Sequence, residues 1–332
     1  MGNLFDQLGK KIGRRALRPS GPTAAQHEIP SNAHQADLRH EPDPTRHAER
    51  ARLGLLGRLA QVLCLIEIFS SAPGEQEVID CVGKLIAFRQ ELWREADKAT
   101  RVQDQEEGEA KPAPLFVKPF LWIITAGRPS SALSLLGAVP VKGWPRGVYV
   151  SPGAPLDAGD GDPPQAGGML RVGIVVASEL PRERSTILVR IMAGGAALPA
   201  ALADLAALPT GAYEREVASM DVLELRQALG SKPKRTVEEE EFIVSTQNIV
   251  EKLRDEGRDE GRLTQARVAL RRVLAVRALA PSPTDEARID ACSDIAMLER
   301  WLDQALVAPS AAKALLTKGR TTGPRRRAMR SS

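Results

Sequence analysis

Cysteine is scarce: Cys64, Cys81 and Cys292 are the only three in 332 residues, and no two stand in C-x-x-C spacing. That excludes a disulfide framework and a cysteine-built zinc centre, and it predicts a reducing, cytoplasmic setting. Aromatic residues amount to 4%, so alanine, leucine and valine must fill much of any core. No apolar run approaches the roughly 20 residues that span a bilayer, and the N-terminal stretch has no signal-peptide core, so no membrane association is expected. Met1-Gly2 resembles the start of a myristoylation signal, but Asp6 stands where that signal needs Ser or Thr. Histidine is nearly as rare, with four residues. His27, His34, His40 and His47 fall close together, yet their spacing fits no metal-ligand pattern, and alternating strand faces would keep them from converging. Exposed or hydrogen-bonded histidines are the expectation.

What the sequence does have is unevenly distributed charge. The formal net charge is +4. The last stretch, 318–332, carries Lys318, Arg320, Arg325, Arg326, Arg327 and Arg330 with no acid, and the rest of the chain is left close to neutral. Such a tail is expected to be disordered. It offers non-specific contact with DNA phosphates through counterion release, without aromatics to stack on bases.

The run Val62–Ser70 is short, apolar and rich in β-branched residues, and turn formers follow it at Ser71, Pro73 and Gly74. It reads as a buried strand. One carboxylate, Glu67, lies inside it, and burying a bare carboxylate costs several kcal/mol or neutralises it. Before this strand, 3–18 reads as an amphipathic helix, 24–30 and 34–40 as strands about a Ser31-Asn32 turn, and 47–60 as a helix weakened by two glycines. After it, 75–100 reads as a long helix with a stripe of Val78, Val82, Leu85, Arg89 and Leu92. Residues 103–114 read as an exposed loop, 120–125 as a second buried strand, and Gly127 to Gly137 as a turn with a short helix. Strands at 147–151 and 170–177 flank a flexible insert, 152–168. From 181 the pattern is helical, over 181–193, 196–207 and 212–229. A capping box at Thr236–Glu239 opens a long helix to about Leu279, and a second N-cap at Ser282 opens two short helices that end near Leu316. The expected fold class is therefore α/β, a mixed sheet flanked by helices, followed by an all-helical C-terminal region.

Three stretches carry a resemblance. They are Glu67-Ile68-Phe69-Ser70-Ser71-Ala72-Pro73-Gly74, the repeat Glu256-Gly257-Arg258-Asp259-Glu260-Gly261-Arg262, and residues 285–315 with Leu298-Glu299-Arg300-Trp301-Leu302. Together with the order helix, strand, strand, strand, helix, strand, they resemble the recombination-promoting nuclease/transposase family of the PD-(D/E)XK nuclease superfamily. The resemblance implies a PD-(D/E)XK-like core over 1–180, a helical extension over 181–235, a long spacer helix and helical tail over 236–317, and the basic tail. It implies Asp37 and Glu67 as catalytic metal ligands for Mg²⁺ in phosphodiester hydrolysis of DNA. Phe69 stands where the superfamily has its catalytic Lys and this branch has Gln, which implies a degraded active site, because losing a positioned acid–base group costs about 10²–10⁴-fold in rate.

Two side chains of the following helix are candidates to replace that Lys. Lys84 is at a suitable height but about 120° from the apolar stripe, and Arg89 is aligned but about 21 Å along the helix. Neither is expected to take the place of the missing Lys. For Glu67 the competing reading is a structural ion pair, and for Asp37 a solvated strand residue. The Glu-Gly-Arg repeat reads as a solvated spacer whose glycines cost about 1 kcal/mol each. The alternative to a nuclease is a non-catalytic scaffold that self-associates through 236–279.

Overall fold

The computed structural model describes residues 4–29, 34–103, 118–152 and 170–316. The Ser31-Asn32 turn, almost all of the 103–114 loop and of the 152–168 insert, and the basic tail lie outside these residues.

The chain divides into two compact units, Met1–Glu251 and Lys252–Ser332. The first is built on a mixed sheet of seven strands. Strands β1 (Thr23–Ile29) and β2 (His34–His40) form an antiparallel pair, and β2 runs antiparallel to β3 (Cys64–Phe69). Then β3, β4 (Phe120–Thr125) and β7 (Val172–Val176) lie parallel. The antiparallel strands β6 (Val148–Val150) and β5 (Val139–Pro140) close the order β1-β2-β3-β4-β7-β6-β5. The parallel centre follows from composition. Residues 120–125 and 172–176 are continuous apolar runs, and strands covered on both faces read that way.

Both faces are covered. Helix α4 (Glu75–Gln103) makes the crossover from β3 to β4, and its Val78, Cys81, Leu85 and Phe88 pack with Leu65, Leu121, Ile123 and Ile174. Across the sheet lies α1 (Leu4–Leu17), whose Gly9 approaches Ile68 and whose Gly13 approaches Leu38. The helix expected at 47–60 is two short helices, α2 (His47–Ala51) and α3 (Leu55–Leu59), because Gly54 takes a left-handed φ of 59° between them. Helix α5 (Ser130–Leu135) follows β4.

Helices α6 (Ile187–Ala193), α7 (Leu198–Ala207) and α8 (Tyr213–Gly230) belong to the same compact unit as the sheet. The single long helix expected from Thr236 is interrupted. Its capping box forms, but α9 (Val237–Ser245) stops before α10 (Gln247–Val276) begins. Buried Thr246 turns its hydroxyl back onto the carbonyls of Phe242 and Ile243, and Arg226 donates to Ile243 O and to Thr246 Oγ1. Phe242 O still accepts the Thr246 N–H, but Ile243 O is taken up by side chains, and the regular ladder is interrupted there.

In the second unit α10 packs Leu270 and Leu274 against Ile289, Leu298 and Trp301. Those come from α11 (Pro283–Ala291) and α12 (Ile295–Val307); α13 (Ala311–Ala314) makes a third helix after Ser282 where two were expected. Among the described residues no helix is long and apolar enough to cross a membrane.

Candidate carboxylate–lysine site

The β2–β3 ladder runs from His40↔Cys64 to Leu38↔Ile66. One position further along, Asp37 and Glu67 come opposite each other. Here the backbone pairing gives way to a side chain: the Ile68 N–H donates to Asp37 Oδ2 at 2.9 Å. The two acids named from the sequence therefore meet at one spot. Each is held by a lysine from a different helix. Lys10 of α1 places Nζ 2.6 Å from Asp37 Oδ1, and Lys84 of α4 donates to Glu67 Oε2 at 2.8 Å.

Lys84 corrects the sequence reading. The stripe chosen there omitted Cys81 and Phe88, both of which are buried. At 3.6 residues per turn these two lie about 60° and 80° round α4 from Val78, on the side of Lys84, itself at about 120°. The packed face is thus turned toward Lys84, which sits at its margin with its long stem covered and its ammonium over Glu67. Arg89 is half-buried. Phe69 packs against the apolar cluster beneath α4. The ring therefore fills core space at the end of β3, and the amine arrives from the next helix.

Glu67 is 3% exposed, and its Oε1 is buried without a partner. Burial, with the Asp37 charge beside it, pushes its carboxyl up to about 7, against the opposing pull of Lys84 and Lys10. Burial works against the Lys84 ammonium, but the charge and hydrogen bond of Glu67 hold its pKa above the usual value. The nearby Cys81 thiol is pushed up, by burial first and then by Glu67. Lys10 was missed in the sequence because it is one of several cations on an amphipathic helix; nothing local marks it.

Among the described residues no three His, Cys, Asp or Glu side chains converge as a metal cluster. His40 is buried, with its ring nitrogens near Ser20 Oγ (3.4 Å) and Thr23 Oγ1 (2.8 Å), and His47 is exposed. The side chains of His27 and His34 lie outside the described residues.

No family model, curated protein or solved structure matches this chain. Its functional reading stands on the geometry of Asp37, Glu67, Lys84 and Lys10.

Proposed function

We propose that the first unit is a divergent PD-(D/E)XK-like phosphodiester hydrolase, related to the DNA recombination and transposase-type nucleases and acting in the cytoplasm. The observation that carries this reading is the Lys84–Glu67 contact of 2.8 Å beside Asp37. It supplies two acids and an amine at one point, although Phe69 occupies the usual position of the amine. The order of helix, hairpin, strand, helix and parallel strand supports the same kinship.

A hard divalent ion such as Mg²⁺ fits the donor set, since both acids offer carboxylate oxygens and Glu67 Oε1 is buried without a partner. Asp37 and Glu67 would hold it, and it would supply Lewis-acid stabilisation of charge on phosphoryl oxygens. The protein's own groups do the rest. Lys84 presents a fixed cation and proton donors next to Glu67, suited to orienting a water or steadying an anionic oxygen. Lys10 holds Asp37 in place from the other side of the sheet, and the Ile68 N–H fixes its second oxygen. Apolar packing around Phe69 and Cys81 limits water on the α4 side and raises the proton affinity of Glu67.

The test is nicking of supercoiled DNA with Mg²⁺ or Mn²⁺. Glu67→Ala should abolish it, and Lys84→Met should slow it by about 10²–10⁴-fold. Nicking no faster than that of Glu67→Ala would reject the hydrolase.

A second reading has its own observation: both carboxylates are already neutralised by lysines, as in a structural ion-pair cluster. The protein would then be a non-catalytic scaffold that self-associates through 236–279. In α10 an ideal Cβ on Gly257 or Gly261 would meet nothing within 4 Å. Light scattering showing a monomer at high concentration would count against this reading.

A further inference from the structure

The apolar side of α1 is spent on the core: Leu8, Ile12, Ala16 and Leu17 are all buried. What remains outward is basic, with Lys10, Lys11, Arg14 and Arg15 on the helix and Arg18 in the 3₁₀ turn that continues it. These five cations have different partners. Lys10 is on Asp37 at 2.6 Å, Lys11 on Glu224 at 2.9 Å and Arg15 on Asp221 at 2.9 Å. Arg14 and Arg18 are exposed and make no side-chain hydrogen bond or ion pair among the described residues. They line a cleft of about 570 Å³ between α1 and α8, together with Lys11, Arg15, Asp221 and Glu224. The two acids of the cleft are each matched by a cation, so the surplus positive charge belongs to Arg14 and Arg18. Asp221 is 2% exposed and its Oδ2 has no hydrogen-bond partner among the described residues; burial, partly offset by Arg15, raises its carboxyl pKa.

Lys10 lies outside the cleft lining, one turn of α1 before Arg14 and about 6 Å along the axis, and Arg18 follows four residues later in the 3₁₀ turn. The first of them sits on the carboxylate pair. We infer that α1 is a phosphate track that holds a nucleic-acid strand and leads it to Asp37 and Glu67, with Arg14 and Arg18 as the contacts to the strand beyond the site. The ligand is a polyanionic strand rather than a lipid surface. A membrane-binding amphipathic helix needs a free apolar face, and that of α1 is buried. The inference deepens the proposed hydrolase by naming how its substrate is held.

The experiment is fluorescence anisotropy of a labelled single-stranded oligonucleotide with the full chain across a salt series. The proteins compared are the wild type and the double variant Arg14→Gln/Arg18→Gln. Both keep the C-terminal tail, so its contribution is common to them, and equal melting temperatures show that the arginine changes leave the fold intact. The double variant should bind more weakly at low salt, and its log K against log salt should flatten by about 1.4, the loss of two phosphate contacts on a single strand. An unchanged salt slope in the double variant, no binding by the wild type, or an arginine-dependent affinity only for anionic phosphatidylserine vesicles would overturn the inference. Absence of nicking with arginine-dependent binding intact would remove the hydrolase reading and leave the track.

Discussion

Two buried titratable side chains set opposite pH responses within a few residues of each other in the sheet. Burial, with the Arg50 charge nearby, lowers His40 from 6.5 to about 4. The unfolded chain takes up that proton first, so native stability falls as pH drops from about 6.5 toward 4. Glu67 is raised from 4.5 to about 7, so here the native state holds the proton longer and stability falls as pH rises from about 4.5 to 7. In the metal-free protein the two slopes oppose each other between pH 4.5 and 6.5, each at most about 1.4 kcal/mol per pH unit. Thermal melts across this range should show a rising midpoint in Glu67→Gln, where only the His40 slope remains, and a falling one in His40→Gln. Parallel profiles for both variants and the wild type would show that neither group titrates as its surroundings indicate. Glu67 was legible in the sequence as an acid that needed a partner. Which partner was not legible, because the contact depends on the rotation of α4 over the sheet.

At the scale of elements, close approach decides more than propensity does. An ideal Cβ on Gly9 of α1 would lie 2.4 Å from the Met192 carbonyl oxygen of α6, a backbone atom with no rotamer to change. On Gly173 of β7 it would lie 2.2 Å from the ring of Trp122, which is itself fixed by donating from Nε1 to Leu59 O. Gly9→Ala should therefore cost about 1–3 kcal/mol as overpacking, measured by denaturant melts. A neutral result would mean that α1 and α6 are not in register at this contact. An intrinsically helix-favouring substitution is thus expected to weaken the protein. The capping box at Thr236 and the N-cap at Ser282 were readable because their donors and acceptors lie within four residues, and at Ser282 the structure completes a box with Asp285. The stop at Thr246 was not, because Arg226 comes from another helix. The two-residue strand β5 was likewise missed, being too short to leave a periodic pattern.

Each of the two units has a buried core among its described residues, and the boundary between the units falls within α10 rather than at a change of composition. Leu298 is fully buried among Leu270, Ile289 and Trp301 in the second. Leu298→Ala should cost that unit about 2–5 kcal/mol. Calorimetry should show one transition moving down while the other stays in place. A single transition displaced as a whole would mean that Met1–Glu251 and Lys252–Ser332 unfold as one cooperative body.

The sequence alone determined the elements whose signals are local: apolar strands, long amphipathic helices, N-caps, and the α/β order followed by helices. Glu67 was conspicuous as a carboxylate within an apolar strand, whereas Asp37, in the polar stretch His34–His40, was named only through the family resemblance. Only the tertiary structure decided what those acids touch. Lys84 and Lys10 reach them from helices on opposite faces of the sheet, and side-chain meetings across 17 or 27 residues of chain depend on helix rotation and strand register, which no local pattern encodes.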